Sequence, residues 1–289
     1  MNEINKLYRD KPMPRQKCAN RLLCNFNFVA GAVLLLATIF CAVFAPLIAT
    51  HDVNQANARE SFVAPNADHW MGTDKLGRDI WSRFVFGGRV SLVIGLTAMI
   101  IGMFIGTTLG ILAGFYGGWI DSVISWMTEV LMAFPGILLA LTIMAVLGSG
   151  VVNVILAVGI GTIPQFMRMA RSAVFKTREM DFVDAARTIG CSDRRILFRH
   201  ILPNILQSVI VLATLGIGGA ILEGSSLSYL GLGAQPLTPE WGAMINNGRT
   251  FLQNAWWVSV FPGMGILTAI LSINMLGEGL SQVFDPVNR

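Results

Sequence analysis

Charge is scarce in this chain. Of its 289 residues only 13% are charged and 54% are hydrophobic, whereas soluble domains carry about 25% charged residues. A soluble enzyme with one large core is therefore excluded, and a polytopic membrane protein remains. Lysine is rarer still. Lys6, Lys11, Lys17, Lys75 and Lys176 are the full set, and none follows a glycine, so the GxxxxGK[ST] cradle for nucleotide phosphates is missing. His51, His69 and His200 are too scattered for HExxH zinc chemistry. No Gly-x-Ser-x-Gly elbow is present, and Glu223-Gly224-Ser225-Ser226 is no substitute for one. Cys18, Cys24, Cys41 and Cys191 form no CxxC pair and no metal spacing, which points to reduced thiols. Neither a catalytic constellation nor a metal-ligand set is expected. The net charge of +4 does not imply nucleic acid, because the basic residues gather in two segments without an aromatic-basic surface.

Long apolar runs are what the chain does have. They fall at residues 26–49, 89–114, 120–147, 151–173, 203–230 and 255–279. At about 1.5 Å per helical residue each covers a hydrocarbon core of roughly 30 Å, so about six helical spans are expected. The leading polar stretch is too long for a cleavable signal, and the apolar run after it is span-length. Residues 1–25 form a basic tail with Lys6, Arg9, Lys11, Arg15, Lys17 and Arg21. The 168–202 interval adds Arg168, Arg171, Lys176, Arg178, Arg187, Arg194, Arg195 and Arg199. This bias places both termini and residues 174–202 inside, with residues 50–88 and 231–254 outside.

The one long polar interval in the second half, Glu179 to Pro203, reads as helix, glycine break and second helix running into a span. Phe182, Val183, Ala186 and Ile189 recur at helical spacing. Gly190 stands where a left-handed cap is needed. Ser192 suits an N-cap with Asp193 behind it, and Pro203 suits the start of the next span. The interval is either a docking element or a surface helix lying on lipid headgroups.

Asp184-Ala185-Ala186, Gly190 and Leu202-Pro203 resemble the EAA loop of ABC importer permeases, with Asp for Glu and His200 where the general pattern has Ile. A second stretch carries Gly72-Thr73-Asp74, Leu76-Gly77-Arg78-Asp79, Ser82-Arg83, Gly88-Arg89 and Ser91-Leu92. It is similar to the GTDxLGRDxxSR…GxRxSL signature of the C-type permease subunits of dipeptide, oligopeptide and nickel importers. Gln235-Pro236-Leu237-Thr238-Pro239-Glu240-Trp241-Gly242 resembles their QPPTPEWG segment, and Gly277-Glu278-Gly279-Leu280 with Asp285-Pro286 their closing tail. The resemblance runs from about residue 70 to the C-terminus and leaves the basic tail unassigned.

The resemblance implies an all-α integral membrane protein with the type I ABC importer permease fold and a cytoplasmic coupling helix. It divides the chain into a tail (1–25), a first span (26–49), an extracytoplasmic loop with an interfacial helix (50–88), a core permease domain (89–280) and a short tail (281–289). Thr73 or Asp74 is expected to cap that interfacial helix, and Arg78 and Asp79 to form an ion-paired surface at headgroup level. The implied coupling residues are Asp184, Ala185, Ala186, Gly190, Leu202 and Pro203. The implied partners are a homologous B-type permease, two cytoplasmic ATP-binding subunits and an extracytoplasmic solute-binding protein, besides membrane lipid. ATP and Mg would sit on the partner subunits, with no cofactor on this chain. The implied location is a prokaryotic inner membrane, and the implied solutes are di- or oligopeptides, with nickel, metal chelates or glutathione as alternatives. A stand-alone secondary transporter or channel is the competing class, and a membrane enzyme a weaker third.

Polar groups inside spans cost roughly 2.5–3.5 kcal/mol each if charged at mid-bilayer. Glu129 and Glu223 are thus either pathway-lining carboxylates or hydrogen-bonded structural residues, while Glu278 lies near the inner end. Glu129 precedes Pro135, which should bend its helix. Gly102, Gly106, Gly110 and Gly114 recur every fourth residue, a stripe for close helix approach either within the chain or to another subunit.

Overall fold

The computed structural model describes residues 25–234 and 237–284. The basic tail before Asn25, Gln235-Pro236 and Asp285-Pro286 lie outside the described residues. Among the described residues there is no strand, only an isolated bridge between Thr73 and Asp79. The helices are α1 (Phe26–Val43), α2 (Ala45–Ile48), α3 (Ile80–Tyr116), α4 (Gly118–Ala133), α5 (Gly136–Leu147), α6 (Val151–Arg178) and α7 (Asp181–Thr188). They continue with α8 (Asp193–Tyr229), α9 (Trp241–Gly248) and α10 (Trp257–Phe284). Among the described residues five helices are long and apolar enough to cross a membrane, or six if α4 and α5 count as one span.

That pair is bent by 95°. The bend falls at Phe134-Pro135, where the proline ring fixes φ and removes a backbone donor, as the sequence suggests. Elsewhere the spans depart from expectation. Residues 80–88 are not a separate interfacial helix; they are the first turns of α3, which at 37 residues is about 55 Å long. Gly87 and Gly88 do not break it, because a β-carbon at Gly88 would stand 2.9 Å from the Trp241 ring. The absent side chains make room for α9 instead of marking a turn. The cap is Asp79 rather than Thr73 or Asp74: its Oδ2 accepts from the Ser82 amide at 2.8 Å and the Ser82 hydroxyl at 2.7 Å. Nor do Arg78 and Asp79 form a headgroup-level surface. Arg78 is buried and pairs with Asp74 at 2.7 Å.

Pro203 stands in the first turn of the α-helical stretch Leu202–Tyr229, as expected, but the helix also continues back to Asp193. Pro203 thus lies inside α8, just past a π-turn over Leu197–Ile201. There the Leu202 amide donates to the Leu197 carbonyl, five residues back. The widened turn absorbs a proline that in an α-helix would clash with the carbonyl four residues earlier.

The glycine stripe turns out to be internal. β-Carbons at Gly106 and Gly110 would overlap the carbonyl oxygens of Ile163 and Met167 and stand 2.7 and 2.8 Å from the Cβ atoms of Phe166 and Ala170. At Gly114 the neighbour would be Val174 Cβ at 2.9 Å. Thus α3 and α6 lie backbone to backbone over about three turns, the arrangement that small-xxx-small spacing permits.

Three apolar clusters mark three levels of the bundle. The middle one joins α3, α5, α6 and α8 through residues such as Ile94, Met144, Val158 and Phe166. At the end where α3 begins, Ile80, Trp241, Trp257 and Ile266 gather the loops. The Phe62 and Phe251 rings meet there at a tilt, 4.6 Å between centroids, and Trp257 Nε1 donates to the Thr73 carbonyl at 3.2 Å. Residues 50–79 and 237–256 therefore share one end. At the opposite end Phe115 and Val174 receive α7.

Glu240 is fully buried at the start of α9. Its carboxylate accepts from the Gly242 and Ala243 amides at 2.9 and 2.8 Å and from the Ser91 hydroxyl at 3.0 Å. Burial pushes its pKa up, and those donors hold it back. The cap anchors the short helix to α3, while Gly242 lies too close to the Ser225 backbone for any side chain.

Close backbone contact makes one stability comparison sharp. Gly106→Ala should cost about 1–3 kcal/mol by overpacking. Gly161→Ala on α6, whose β-carbon meets nothing within 4 Å, should be neutral or slightly stabilising from helix propensity. Thermal unfolding in detergent checks this; equal effects at the two positions would contradict the internal stripe.

Candidate functional site

The α7 helix is built from the sequence features of a helix held at both ends. Asp181 and Asp184 occupy its first turn and Arg187 its last, the order that complements the helix dipole. It stops in a Schellman motif. The Cys191 amide donates to the Ala186 carbonyl at 3.0 Å and the Gly190 amide to the Arg187 carbonyl at 2.9 Å, with Gly190 at φ +82°. The glycine is required by backbone conformation, since a β-carbon there would meet no neighbour. Ser192 occupies the N-cap position of α8 with extended backbone, although its hydroxyl makes no capping bond.

The two alanines of the motif part company. Ala185 faces out with Asp184, while Ala186 and Val183 are buried. They pack with Phe115, Val174, Ile196, Ile201 and Ile205. Ala186 therefore keeps α7 close to its own bundle and does not line the outward surface. Leu202 is half-buried against the same cluster, whereas Pro203 is exposed. The outward surface carries Asp184, Ala185, Arg187 and Thr188, flanked by apolar Phe182 at 39% and Ile189 at 79% exposure. Large exposed apolar side chains on the polar end of a membrane bundle suit a protein contact.

Arginines read only as a charge bias prove to be fasteners of this end. Arg178 Nη1 donates to the last carbonyls of α3, Gly114 and Phe115, at 3.3 Å each. Arg171 forms a two-pronged pair with Asp121 of α4, with Nη2 to Oδ2 at 2.7 Å. The guanidinium fork gives this pair its fixed geometry. No local pattern reveals this role of Arg178, because Gly114 lies 64 positions away, before α4, α5 and the length of α6.

Glu223 is half-buried on α8, and its Oε1 would lie 3.1 Å from a β-carbon on Gly136. Its carboxylate thus faces the first turn of α5, immediately after the bend. Glu129 is exposed on α4 and interacts electrostatically with Arg171. The two carboxylates are therefore tied to different neighbours. At the far end the fold joins two histidines that lie 18 positions apart in the chain. The His51 and His69 rings are 4.6 Å apart beside Asp79, so the impression of scattered histidines holds along the chain and fails in space.

Comparison with known proteins agrees with this architecture. Residues 106–289 match the family described as binding-protein-dependent transport system inner membrane component. A dipeptide transport system permease protein DppC from Alkalihalophilus pseudofirmus is 44% identical over 273 residues, covering 94% of this chain and 90% of the relative. Glutathione transport system permease proteins GsiD from Pectobacterium atrosepticum and Escherichia coli are 42% and 47% identical, covering 96% and 89% of this chain and 93% and 86% of theirs. The fold is similar to that of the inward-facing MetNI methionine ABC transporter, with TM-score 0.58 and 18% identity over 71% of this chain and 98% of that one. An amino acid ABC transporter with histidines aligns with TM-score 0.54 and 15% identity over 68% and 91%.

The inward packing of Ala186 has a direct consequence. Ala186→Trp should pry α7 from Phe115 and Val174 and expose Cys191, which is half-buried at the helix end. In a background lacking Cys18, Cys24 and Cys41, maleimide labelling of Cys191 should accelerate several-fold. Unchanged labelling would show that position 186 does not pack inward.

Proposed function

We propose a function from one premise: the chain belongs to the family of binding-protein-dependent transport system inner membrane components. It is a multi-pass membrane permease subunit of an ABC importer, and short peptides are its solute class. The observation that carries the peptide reading is the 42–47% identity, over most of both chains, to permeases of dipeptide and glutathione systems. Both named solutes are small, zwitterionic and amide-linked. Nickel and metal chelates have no comparable support among these relatives.

In this reading the chain supplies half of a pathway. A homologous permease faces the bent α4–α5 pair, whose Trp119, Trp126 and Val146 are 75%, 65% and 84% exposed. Two ATP-binding subunits dock at the cytoplasmic end, and a solute-binding protein at the end formed by residues 50–79 and 237–256. The termini lie inside, on the charge bias. ATP and Mg are held and turned over by the docked subunits, and this chain contributes shape and leverage.

The coupling role falls to Asp184, Ala185, Gly190 and the flanking Phe182 and Ile189. Ala186, Leu202 and Pro203 act behind them by fixing α7 to α3, α6 and α8. When the ATPases close, α7 is displaced, and the fastened ends of α3 and α6 follow it. Such a displacement shifts the equilibrium only if α7 binds one ATPase arrangement better than the other. Glu223, beside the bend at Pro135, stands where the broken span would open or close, which suits a pathway carboxylate.

Reconstitution of the whole importer tests the reading. Uptake of a labelled dipeptide or glutathione should require ATP, the ATPases and the binding protein together. Uptake without the ATPases would instead assign a stand-alone transporter, and uptake of nickel but not peptide would reassign the solute. Gly190→Val should leave the permease in the membrane and reduce both ATPase co-purification and solute-stimulated hydrolysis. A left-handed φ costs an L-residue about 1–2 kcal/mol, and a branched β-carbon adds to it. Normal coupling in that variant would remove α7 from the mechanism.

A further inference from the structure

We propose that His51, His69 and Asp79 form a binding site for one divalent transition metal ion of the zinc class, at the end of the bundle opposite α7. The site is independent of the solute and of the transport reading.

The donors are already gathered. One ligand atom from each of the three side chains lies within 4.8 Å of the other two. His69 Nδ1 is 2.9 Å from Asp79 Oδ1, and His51 Nδ1 is 3.9 Å from the same oxygen. Zinc ligands at about 2.0–2.2 Å from the ion stand roughly 3.0–3.6 Å from one another. The His69–Asp79 pair is therefore close to ligand spacing, and a rotation of the His51 imidazole would bring its donor closer to Asp79 Oδ1 and to the His69 donor, from which it now lies within 4.8 Å. Without metal, the gap between His69 and Asp79 is bridged by a proton, which a metal ion would displace.

The supporting contacts hold the donors in that pose. Asp79 Oδ2 is taken by the Ser82 amide and hydroxyl, which leaves Oδ1 aimed at both imidazoles. With His69 Nδ1 on the ion, its Nε2–H faces Glu60 Oε2 at 3.7 Å. A carboxylate behind a ligating histidine fixes its tautomer and ring orientation. Thr50 Oγ1 lies 3.0 Å from His51 Nδ1, so a hydroxyl or water can complete the coordination.

Burial is graded as a metal site requires. The Asp79 side chain is 1% exposed, His69 9% and His51 39%. His51 opens onto a polar cavity of about 760 Å³ that also holds Gln55, Asn57 and Asp68, and this cavity is the access route. Two imidazoles with one carboxylate select zinc, nickel or cobalt, because calcium and magnesium take sets of oxygen ligands. A bound ion would tie residue 51, just past α2, and residue 69, in the loop, to the residue that caps α3.

The test uses the full chain in its complex, purified through a tag without histidine and stripped with EDTA. Equilibrium dialysis against Zn²⁺, with Mg²⁺ and Ca²⁺ in excess, should leave one zinc per chain. Cobalt substitution should give the visible absorption of a low-coordinate, imidazole-ligated site. His51→Ala and His69→Gln should each weaken zinc binding by about tenfold or more and abolish the cobalt bands, while His200→Ala at the other end leaves both unchanged. Absence of stoichiometric zinc in the unaltered chain would overturn the proposal, as would zinc content in both histidine variants equal to that of the unaltered chain. If either variant fails to fold, the cobalt spectrum of the unaltered chain decides: weak bands of an all-oxygen octahedral ion would overturn the site.

Discussion

Two helices cannot lie closer than their side chains allow, and α3 and α6 meet where α3 has none. The carbonyl oxygens of Ile163 and Met167 occupy space that β-carbons on Gly106 and Gly110 would fill. That backbone contact sets the spacing of the bundle. At one end of the pair Phe115 and Val174 make the seat for α7. At the other end α3 carries Asp79 as its cap, Trp241 against Gly88, and Ser91 bonded to Glu240. In the lipid phase, where apolar burial contributes little between helices, such packing is the main source of association.

The same contact gives the proposed transport cycle its lever. A helix of eight residues has little stability of its own. Its position is instead imposed by Val183 and Ala186 beneath it, by the Schellman turn at Gly190, and by Arg178 binding the end of α3. The bent α4–α5 pair is fastened to this unit by Asp121 with Arg171 on the α4 side and by Ala140 and Met144 of α5 in the middle cluster, while Trp119, Trp126 and Val146 stay exposed. In the proposed cycle the two pairs divide the labour: the rigid pair would transmit displacement and the bent pair would change the shape of the pathway face. Glu223 sits at the junction between them.

Much of this was legible in the sequence, for identifiable reasons. Apolar runs fixed the number of spans, since hydrocarbon thickness sets their length. Gly190 was readable because a left-handed cap leaves a compositional mark, and the bend at Pro135 because proline has a local effect. What escaped depended on partners distant in the chain. Gly87-Gly88 is a notch for Trp241, a contact 153 positions away from Gly88. Pro203 marked the first turn of an α-helical stretch, but the π-turn that joins it to the helix before left no sequence mark. Ala186 was implied as a coupling residue beside Ala185 and is buried in its own chain. Glu240 lay in a recognisable motif, yet its role as a buried cap depends on Ser91, 149 positions away. His51 and His69 carried no shared pattern at all.

The central claim is that α7 and the α3–α6 pair form one rigid unit during transport. Spin labels at Thr188 on α7 and Val93 on α3, both exposed, measure it directly by pulsed electron resonance in the reconstituted importer. The account predicts a single distance that changes by no more than about 2 Å, the scale of a small helix shift, between the nucleotide-free and ATP-trapped states. A one-turn displacement, roughly 5 Å or more, between those labels would show that α7 moves apart from the pair and would contradict it.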